Sequence, residues 1–413
     1  MTKMYFGSKR KSEPNLKVII LIILVVLAGG YGLWRFASGA GPATLGAGLT
    51  ANPSAETELN QARDLIAAST PDAARPILER LVSRSKDPVI GPQALTLLAT
   101  LETNAGRKEE ALQLLEKAAN QFPGSPERPA AAARYAQALE EAGQTEQAVT
   151  LFRELSENAP PGLRAPALTG LGRIKERAED PVGARDLYRE AVEDAPWNSE
   201  AWNEAADALS QANVTLAFSP KETPESKYYV IEKGDNLTNI GIKLNTTLGL
   251  LTRANNIDES TQLRLGNRLK YTPKDFRIII ERSTCRLFLI DDRGLFKRYF
   301  VGLGMPDHQT ALGSYTIGNK QKDPTWFKPG AGPVPPGDPA NELGTRWMPL
   351  VPAEAGLPTD LGIHGTIAPD TIGKYMSHGC PRMKREDVEE LYDLVVRSTP
   401  VKIVETTGPE EIG

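Results

Sequence analysis

The sequence predicts a multidomain chain: an N-terminal transmembrane helix, an all-α region of helical repeats, a small βα-β module and a mostly-β C-terminal domain. Three observations carry this. An uncharged run fills Val18 to Trp34. Alanine-plus-bulky pairs recur at steps of 36 to 37 residues between Ala74 and Tyr188. Short β-branched runs take over from Phe276 onward. With 413 residues the chain has room for several folded units.

Val18–Trp34 is 17 residues long. As a helix it spans roughly 26 Å, the short end of what a bilayer needs. Lys3, Lys9, Arg10, Lys11 and Lys17 precede it against the single acid Glu13. That excess holds residues 1–17 in the cytoplasm and sends the remainder outside. A cleaved signal peptide is the alternative, with Val18–Ala28 as its apolar core and Ser38 and Ala40 as small cleavage-site residues. Either reading puts the C-terminal domain on the outer side of the cytoplasmic membrane. Residues 35–54 are rich in Gly and Ala and read as a linker.

Residues 55–212 have helical periodicity. Ala74/Leu78, Ala111/Leu115, Ala148/Phe152 and Ala184/Tyr188 repeat one pattern, and two of the pairs follow near-identical turns, Ala105-Gly106-Arg107 and Ala142-Gly143-Gln144. A small residue lets two helices approach, and the bulky one a turn later fills the gap. The pattern resembles a tetratricopeptide-type array, whose usual period is about 34 residues. The longer steps imply longer turns at Pro123–Pro129 and Pro160-Pro161-Gly162, and Pro76 interrupts the first unit. The resemblance implies either a plain helical spacer or a docking surface for a protein partner. Asn213–Ser226, with Ser219-Pro220 and Thr223-Pro224, reads as a linker.

Residues 227–273 carry YVIEKGDNL from Tyr229 to Leu237, then Ile240, Leu251, Asn255 and Leu265-Gly266-Asn267-Arg268-Leu269. Tyr229 and Ile231 alternate as a short strand, Gly234-Asp235 makes a turn, and Asp235 is placed to cap the following helix. Leu237, Ile240 and Leu244 share a helical face. The segment resembles a LysM module. The resemblance implies binding of glycan containing N-acetylglucosamine, chiefly peptidoglycan, with Gly234, Asp235 and Asn255 as the module's marker residues.

From 275 to 405 the texture is that of strands: Phe276–Ile280, Leu287–Ile290, Lys297–Val301 and Tyr315–Ile317, with a hairpin turn at Asp292-Arg293-Gly294. Six prolines between Asp323 and Ala340 exclude a central strand and indicate a shaped loop. One late helix, Glu386–Val396, sets Val388, Leu391, Tyr392 and Val395 on one face.

Composition narrows the chemistry. Lys and Arg total 48 against 52 Asp and Glu, a net charge of −4, which excludes a nucleic-acid binder driven by bulk positive charge. Two cysteines, Cys285 and Cys380, exclude a disulfide framework. Three histidines, His308, His364 and His378, complete the set available for thiol–imidazole chemistry. Ser-x-x-Lys occurs at Ser8 and Ser83, but no Lys-Thr-Gly accompanies it, so a serine D,D-transpeptidase is not supported.

Ile363–Met383 reads IHGTIAPDTIGKYMSHGCPRM. This resembles the YkuD-type L,D-transpeptidase signature. Upstream, Thr310-Ala-Leu-Gly313, Asp323-Pro-Thr-Trp326 and Asn341-Glu-Leu-Gly344-x-Arg346-Trp347 fall in the family's order. The step Asn341-Glu342 departs from the family's usual Asn-Pro. The resemblance implies a peptidoglycan transpeptidase with Cys380 as nucleophile and His364 as acid/base. A thioester formed on a stem peptide passes to an amine of a neighbouring stem; release to water, as an L,D-carboxypeptidase, and an inactive wall-binding scaffold are the alternatives.

The residues support a thiol site independently. A free thiol is only a few per cent ionised at neutral pH, so a neighbouring imidazole is needed. His364 ends the apolar segment Leu361-Gly-Ile363, as a strand would deliver it, whereas His308 lies in a turn. His378 is two residues from Cys380, and its orientation to the sulfur is left open. Gly379 permits the tight turn that exposes Cys380, and Ser377 precedes it. Pro381 has no N–H, so local oxyanion donors are limited to His378, Gly379 and Cys380. Arg382 brings fixed positive charge, for a substrate carboxylate or for the thiolate. Cys285 is expected as a small buried thiol in a strand. No cofactor and no metal are expected.

Overall fold

The computed structural model describes residues 53–273, 275–328, 330 and 332–413. The expected tail at 1–17, the span at 18–34 and most of the 35–54 linker lie outside the described residues. No helix among the described residues is long and apolar enough to cross a membrane.

Helical hairpins come first: α1 (Pro53–Ala67), α2 (Pro71–Arg84), α3 (Ile90–Asn104), α4 (Lys108–Asn120), α5 (Arg128–Glu141), α6 (Thr145–Asn158), α7 (Ala165–Arg177), α8 (Pro181–Asp194) and α9 (Glu200–Ala217). The recurring Ala-plus-bulky pairs fall in α2, α4, α6 and α8, and all eight residues are buried. Glycine makes the packing close: a Cβ on Gly172 of α7 would stand 2.3 Å from the Tyr188 ring of α8. Pro76 does not end α2, which continues to Arg84.

The expected linker from Asn213 begins later. Asn213–Ala217 is the last turn of α9, and the reason is packing against the C-terminal domain. Asn213 Nδ2 donates to the Phe296 carbonyl (3.0 Å), Ser210 Oγ accepts from Arg298 N–H (3.1 Å), and Arg298 pairs with Asp207 (2.6 Å).

The small module comprises β1 (Lys227–Val230), α10 (Leu237–Lys243), α11 (Leu248–Ala254) and β2 (Arg268–Tyr271), with β1 and β2 antiparallel. Asp235 does not cap α10. Asn236 does, accepting from Asn239 N–H at 2.8 Å, because the Asp235 carboxylate is taken by Glu232 N–H (2.7 Å) and the Tyr229 hydroxyl (2.8 Å). Lys270 is buried, and its Nζ donates to the carbonyls of Leu216 (3.2 Å), Ser219 (2.7 Å) and Lys221 (2.5 Å). A cation thereby satisfies acceptors at the C-terminal end of α9.

The C-terminal domain contains β3 (Arg277–Glu281), β4 (Arg286–Asp291), β5 (Gly294–Phe300), β6 (Leu303–Gly304), β7 (Gly313–Ile317), β8 (Gln321–Lys322), β9 (Trp326–Phe327), β10 (Pro333–Val334), β11 (Arg346–Pro352), β12 (Gly362–His364), β13 (Tyr375–Ser377), α12 (Arg385–Leu394), β14 (Pro400–Val404) and α13 (Pro409–Ile412). The main sheet runs β12-β11-β7-β14-β3-β4-β5, with β8 added beside β11. β14, which the sequence did not single out, lies centrally, parallel to β3 and antiparallel to β7. Cys285 is buried but stands in the β3–β4 turn with φ +53, not in a strand.

Apolar runs without polar alternation mark strands covered on both faces. Ile278, Ile280, Leu287 and Leu289 enter one core with Val388 and Leu391 of α12. Ile279, Phe288 and Ile290 point the other way, against Tyr188, Trp202 and Leu209 of α8 and α9. The repeats therefore supply one layer of the C-terminal domain. Trp202→Ala is expected to cost about 3–5 kcal/mol and to lower hydrogen-exchange protection in β4 and β5 as well as in α9. Protection lost from α9 alone would contradict this shared core.

Candidate active site

The site is assembled by a short parallel ladder. His364 N–H donates to the Pro381 carbonyl (3.1 Å), and Met383 N–H donates to the His364 carbonyl (2.8 Å). His364 is thus the register partner of Arg382. Side chains alternate along an extended chain, so Cys380, Arg382 and His364 share one face, with Gly362 opposite the cysteine. Trp347 of β11 is the register partner of His364 on its other side, their rings 5.7 Å apart. A Cβ at Gly362 would stand 2.4 Å from the Trp347 ring, so the indole occupies the space that glycine leaves.

The loop bearing the thiol is pinned from both ends. Gly379 has φ +119, a conformation that favours glycine. Thr310, fully buried, donates through Oγ1 to the Gly379 carbonyl (2.7 Å) and accepts from Gly304 N–H (3.0 Å). Ser377 is buried, and its Oγ accepts from Gly379 N–H at 3.2 Å. That bond occupies one of the three local donors. The N–H groups of His378 and Cys380 have no acceptor among the described residues.

The cavity in front of this face has a volume of about 810 Å³ and is reached by His364, Ser377, His378, Cys380 and Arg382. Its outer rim is the proline-rich loop, whose Trp326 and Phe327 pair with Pro333 and Val334. Asn341 holds that loop, its Nδ2 donating to the Pro324 (2.9 Å) and Pro335 (3.1 Å) carbonyls. Of the three histidines only His364 is buried. His378 is exposed, and its ring faces that of His308 at 5.6 Å.

Burial dominates the electrostatics of both the thiol and the imidazole. Burial pushes the Cys380 thiol above its ordinary range, and the Asp360 carboxylate adds to that against the Gly362 N–H and Arg382. Burial, then the neighbouring Arg382 guanidinium, push His364 down to about 4. Both groups are neutral near pH 7. No hydrogen bond joins them; the Cys380 thiol faces the Asp360 carbonyl at 3.9 Å. The His364 Nδ1 is 2.7 Å from the Gly365 carbonyl. A carbonyl only accepts, so a proton on Nδ1 satisfies that contact, and the Glu342 carbonyl also faces the ring. Arg382 is paired with Glu342 (3.2 Å).

Sequence reasoning missed the parts played by Thr310 and Trp347, read only for their order in the upstream motifs, and by Glu342, read only as a departure from the family's Asn-Pro. Nothing in the sequence pointed to Asp360. In the small module, Gly234 is an exposed turn residue with φ +91. Asn255 is spent internally: its Nδ2 donates to the Leu251 (2.8 Å) and Lys270 (2.9 Å) carbonyls, and its Oδ1 accepts from Lys270 N–H (2.7 Å).

The sheet and its pinned thiol loop define an L,D-transpeptidase-type domain, and comparison with known proteins agrees. Residues 275–403 match the L,D-transpeptidase catalytic domain, residues 229–272 the LysM domain, and residues 59–126 and 134–200 the tetratricopeptide repeat. YqjB of Bacillus subtilis, which bears an L,D-transpeptidase name, is 31% identical over 133 residues, covering 32% of this chain and 73% of that protein. YkuD of the same species, likewise named, is 30% identical over 183 residues, covering 42% of this chain and 97% of that protein. The chain belongs to the YkuD family of L,D-transpeptidases. The solved L,D-transpeptidase 3 of Mycobacterium tuberculosis is similar at 16% identity and a TM-score of 0.27, over 34% of this chain and 65% of that one. The match spans between 56% and 65% of the first such solved chains.

The His364 shift has a thermodynamic consequence. Its value of about 4 lies below the ordinary 6.5, so the unfolded chain binds more protons between those values. Stability therefore rises with pH through that window, and acidification across it removes about 3 kcal/mol. Denaturant unfolding from pH 4 to 7 is expected to show this slope, and His364→Gln is expected to flatten it. An unchanged slope in the variant would assign the pH dependence elsewhere.

Proposed function

We propose that the protein is a cell-wall L,D-transpeptidase that works through a thioester on Cys380. The observation that carries this reading is the shared face of Cys380 and His364, one ladder step apart, with the imidazole oriented by the contact of its Nδ1 with the Gly365 carbonyl. The donor is the tetrapeptide stem of peptidoglycan, and the bond broken is the amide between its third residue and the terminal D-alanine. Substrate entry excludes water from the cavity. The Cys380 proton passes to His364 Nε2 as sulfur attacks the carbonyl carbon. The N–H groups of His378 and Cys380 receive the developing oxyanion. The C–N bond then breaks, and D-alanine leaves with the proton from His364. An amine of a neighbouring stem loses its proton to His364, attacks the thioester and expels the sulfur, giving a cross-link. Neutral partners suit this sequence, because the imidazole must first accept a proton and later give it back. Ser377 and Gly379 are positioning residues for the oxyanion donors. Arg382 sets the field on both reacting groups.

The LysM module would hold glycan near the site and raise local substrate concentration. The basic tail and the apolar run at 18–34 support a proposal that the work is done outside the cytoplasmic membrane, with the chain anchored by one helix or released after signal cleavage. The helical repeats, beyond covering the sheet, offer a surface to a protein partner.

Incubation of the chain with a carbapenem is expected to give one covalent adduct, mapped by mass spectrometry to Cys380. Cys380→Ala is expected to lose both the adduct and muropeptide dimers. His364→Gln is expected to slow acylation roughly 10²- to 10⁴-fold. Tripeptide without dimer would reassign the enzyme as an L,D-carboxypeptidase, and adduct surviving in Cys380→Ala would refute the thiol mechanism.

A further inference from the structure

A second cleft, about 810 Å³, lies between the LysM module and the catalytic domain. The turn between α10 and α11 forms one wall, and α12 with the β8–β11 ribbon forms the other. The two domains are fixed against each other there. Thr247 Oγ1 donates to the Asp393 carbonyl, a Cβ on Gly249 would stand 2.3 Å from the Asp393 carboxylate, and Leu250 enters the catalytic core. The cleft is a built feature of the fold.

Its charge runs against that of the chain. The net charge overall is −4. Arg253, Lys320, Lys322, Arg346 and Arg397 line the cleft against two carboxylates, Glu259 and Asp393. Arg253 is paired with Asp393 (3.4 Å), and Lys320 Nζ donates to the Tyr392 and Val395 carbonyls (2.5 Å each). Lys322 and Arg397 are exposed and form no ion pair among the described residues. Arg346 lies near the Glu389 (3.8 Å) and Asp323 (3.9 Å) carboxylates and donates through Nη1 to the Thr345 carbonyl (2.8 Å), while its Nε and Thr246 Oγ1 are buried without a hydrogen-bond partner among the described residues. The cleft thus offers unspent donors and positive charge.

The cleft is separated from the catalytic cavity by one layer of chain. In the β8–β11 ribbon, Arg346 pairs with Lys322 and Trp347 with Gln321. Alternation sends the first pair into the cleft and the second into the catalytic cavity. Among the described residues β8 pairs only with β11, so the outer edge of the ribbon is free.

We infer that this cleft is a second binding site, taking the carboxylates of the stem peptide that lies between glycan held by the LysM module and the amide presented to Cys380. The identity of the ligand rests on the function proposed above. What joins glycan to the reacting amide in that substrate is a peptide bearing free carboxylates, and these match a cationic cleft lying between the two domains.

The test uses the full chain carrying Cys380→Ala, which binds without turnover, titrated with a disaccharide tetrapeptide at low salt. Lys322→Glu with Arg397→Glu is expected to raise the dissociation constant roughly tenfold. The same muropeptide with its carboxylates amidated is expected to bind the parent about as weakly as the free acid binds the variant. Equal binding of the free acid to parent and variant would overturn the inference. So would equal binding of the acid and amidated forms to the parent, a readout that needs no variant. The carbapenem adduct on the unsubstituted chain reports separately on the thiol mechanism.

Discussion

The catalytic half of the molecule depends on two backbone hydrogen bonds that tie His364 to Pro381 and Met383. They make an irregular segment behave as a strand beside β12. A one-residue slip would turn Cys380 to the opposite face from His364, because side chains alternate. Everything around the ladder protects that register. Gly362 has no side chain where Trp347 must lie, Gly379 takes a backbone angle that other residues resist, and Thr310 bridges the thiol loop to Gly304.

The same economy of contacts joins the domains. A sheet with apolar residues on both faces needs two covers. α12 belongs to the catalytic chain itself, but the other cover is borrowed from α8 and α9. Lys270 then links the LysM module to the end of α9 by three carbonyl contacts. A lysine so buried loses solvation, which lowers its pKa. Polar contacts with α9, together with the Asp393 junction, hold the LysM module beside the catalytic domain. The boundary between catalytic and helical regions is therefore covalent order only; in space they share a core.

Much of the fold was legible because it rests on local pattern. Ala74/Leu78 and its three successors signalled buried helix faces by spacing alone, and their side chains are buried as that spacing requires. The hairpin at Asp292-Arg293-Gly294 was legible from turn chemistry, and Gly294 has φ +91. Errors arose where a local signal had a distant competitor. Asp235 looked like a cap, but Tyr229 and Glu232 claim its carboxylate. Asn213 looked like the start of a linker, but strand β5 offers its carboxamide an acceptor and holds it in the helix. β14 escaped notice because Pro400 and Lys402 break its apolar run, although its neighbours β3 and β7 give it a central place.

By itself the sequence determined the order of the domains, the family, and the residues able to do thiol chemistry, since two cysteines and three histidines leave few combinations. Tertiary structure alone decided how those residues stand. It buried His364 and left His378 exposed, tied the Gly379 N–H to Ser377, and through burial pushed the thiol up and the imidazole down. The physical reason is that ionisation and loop geometry depend on solvation and on partners brought from far along the chain, as Thr310 is to the Gly379 carbonyl 69 residues away, and residue types in a linear string do not encode which of them will meet.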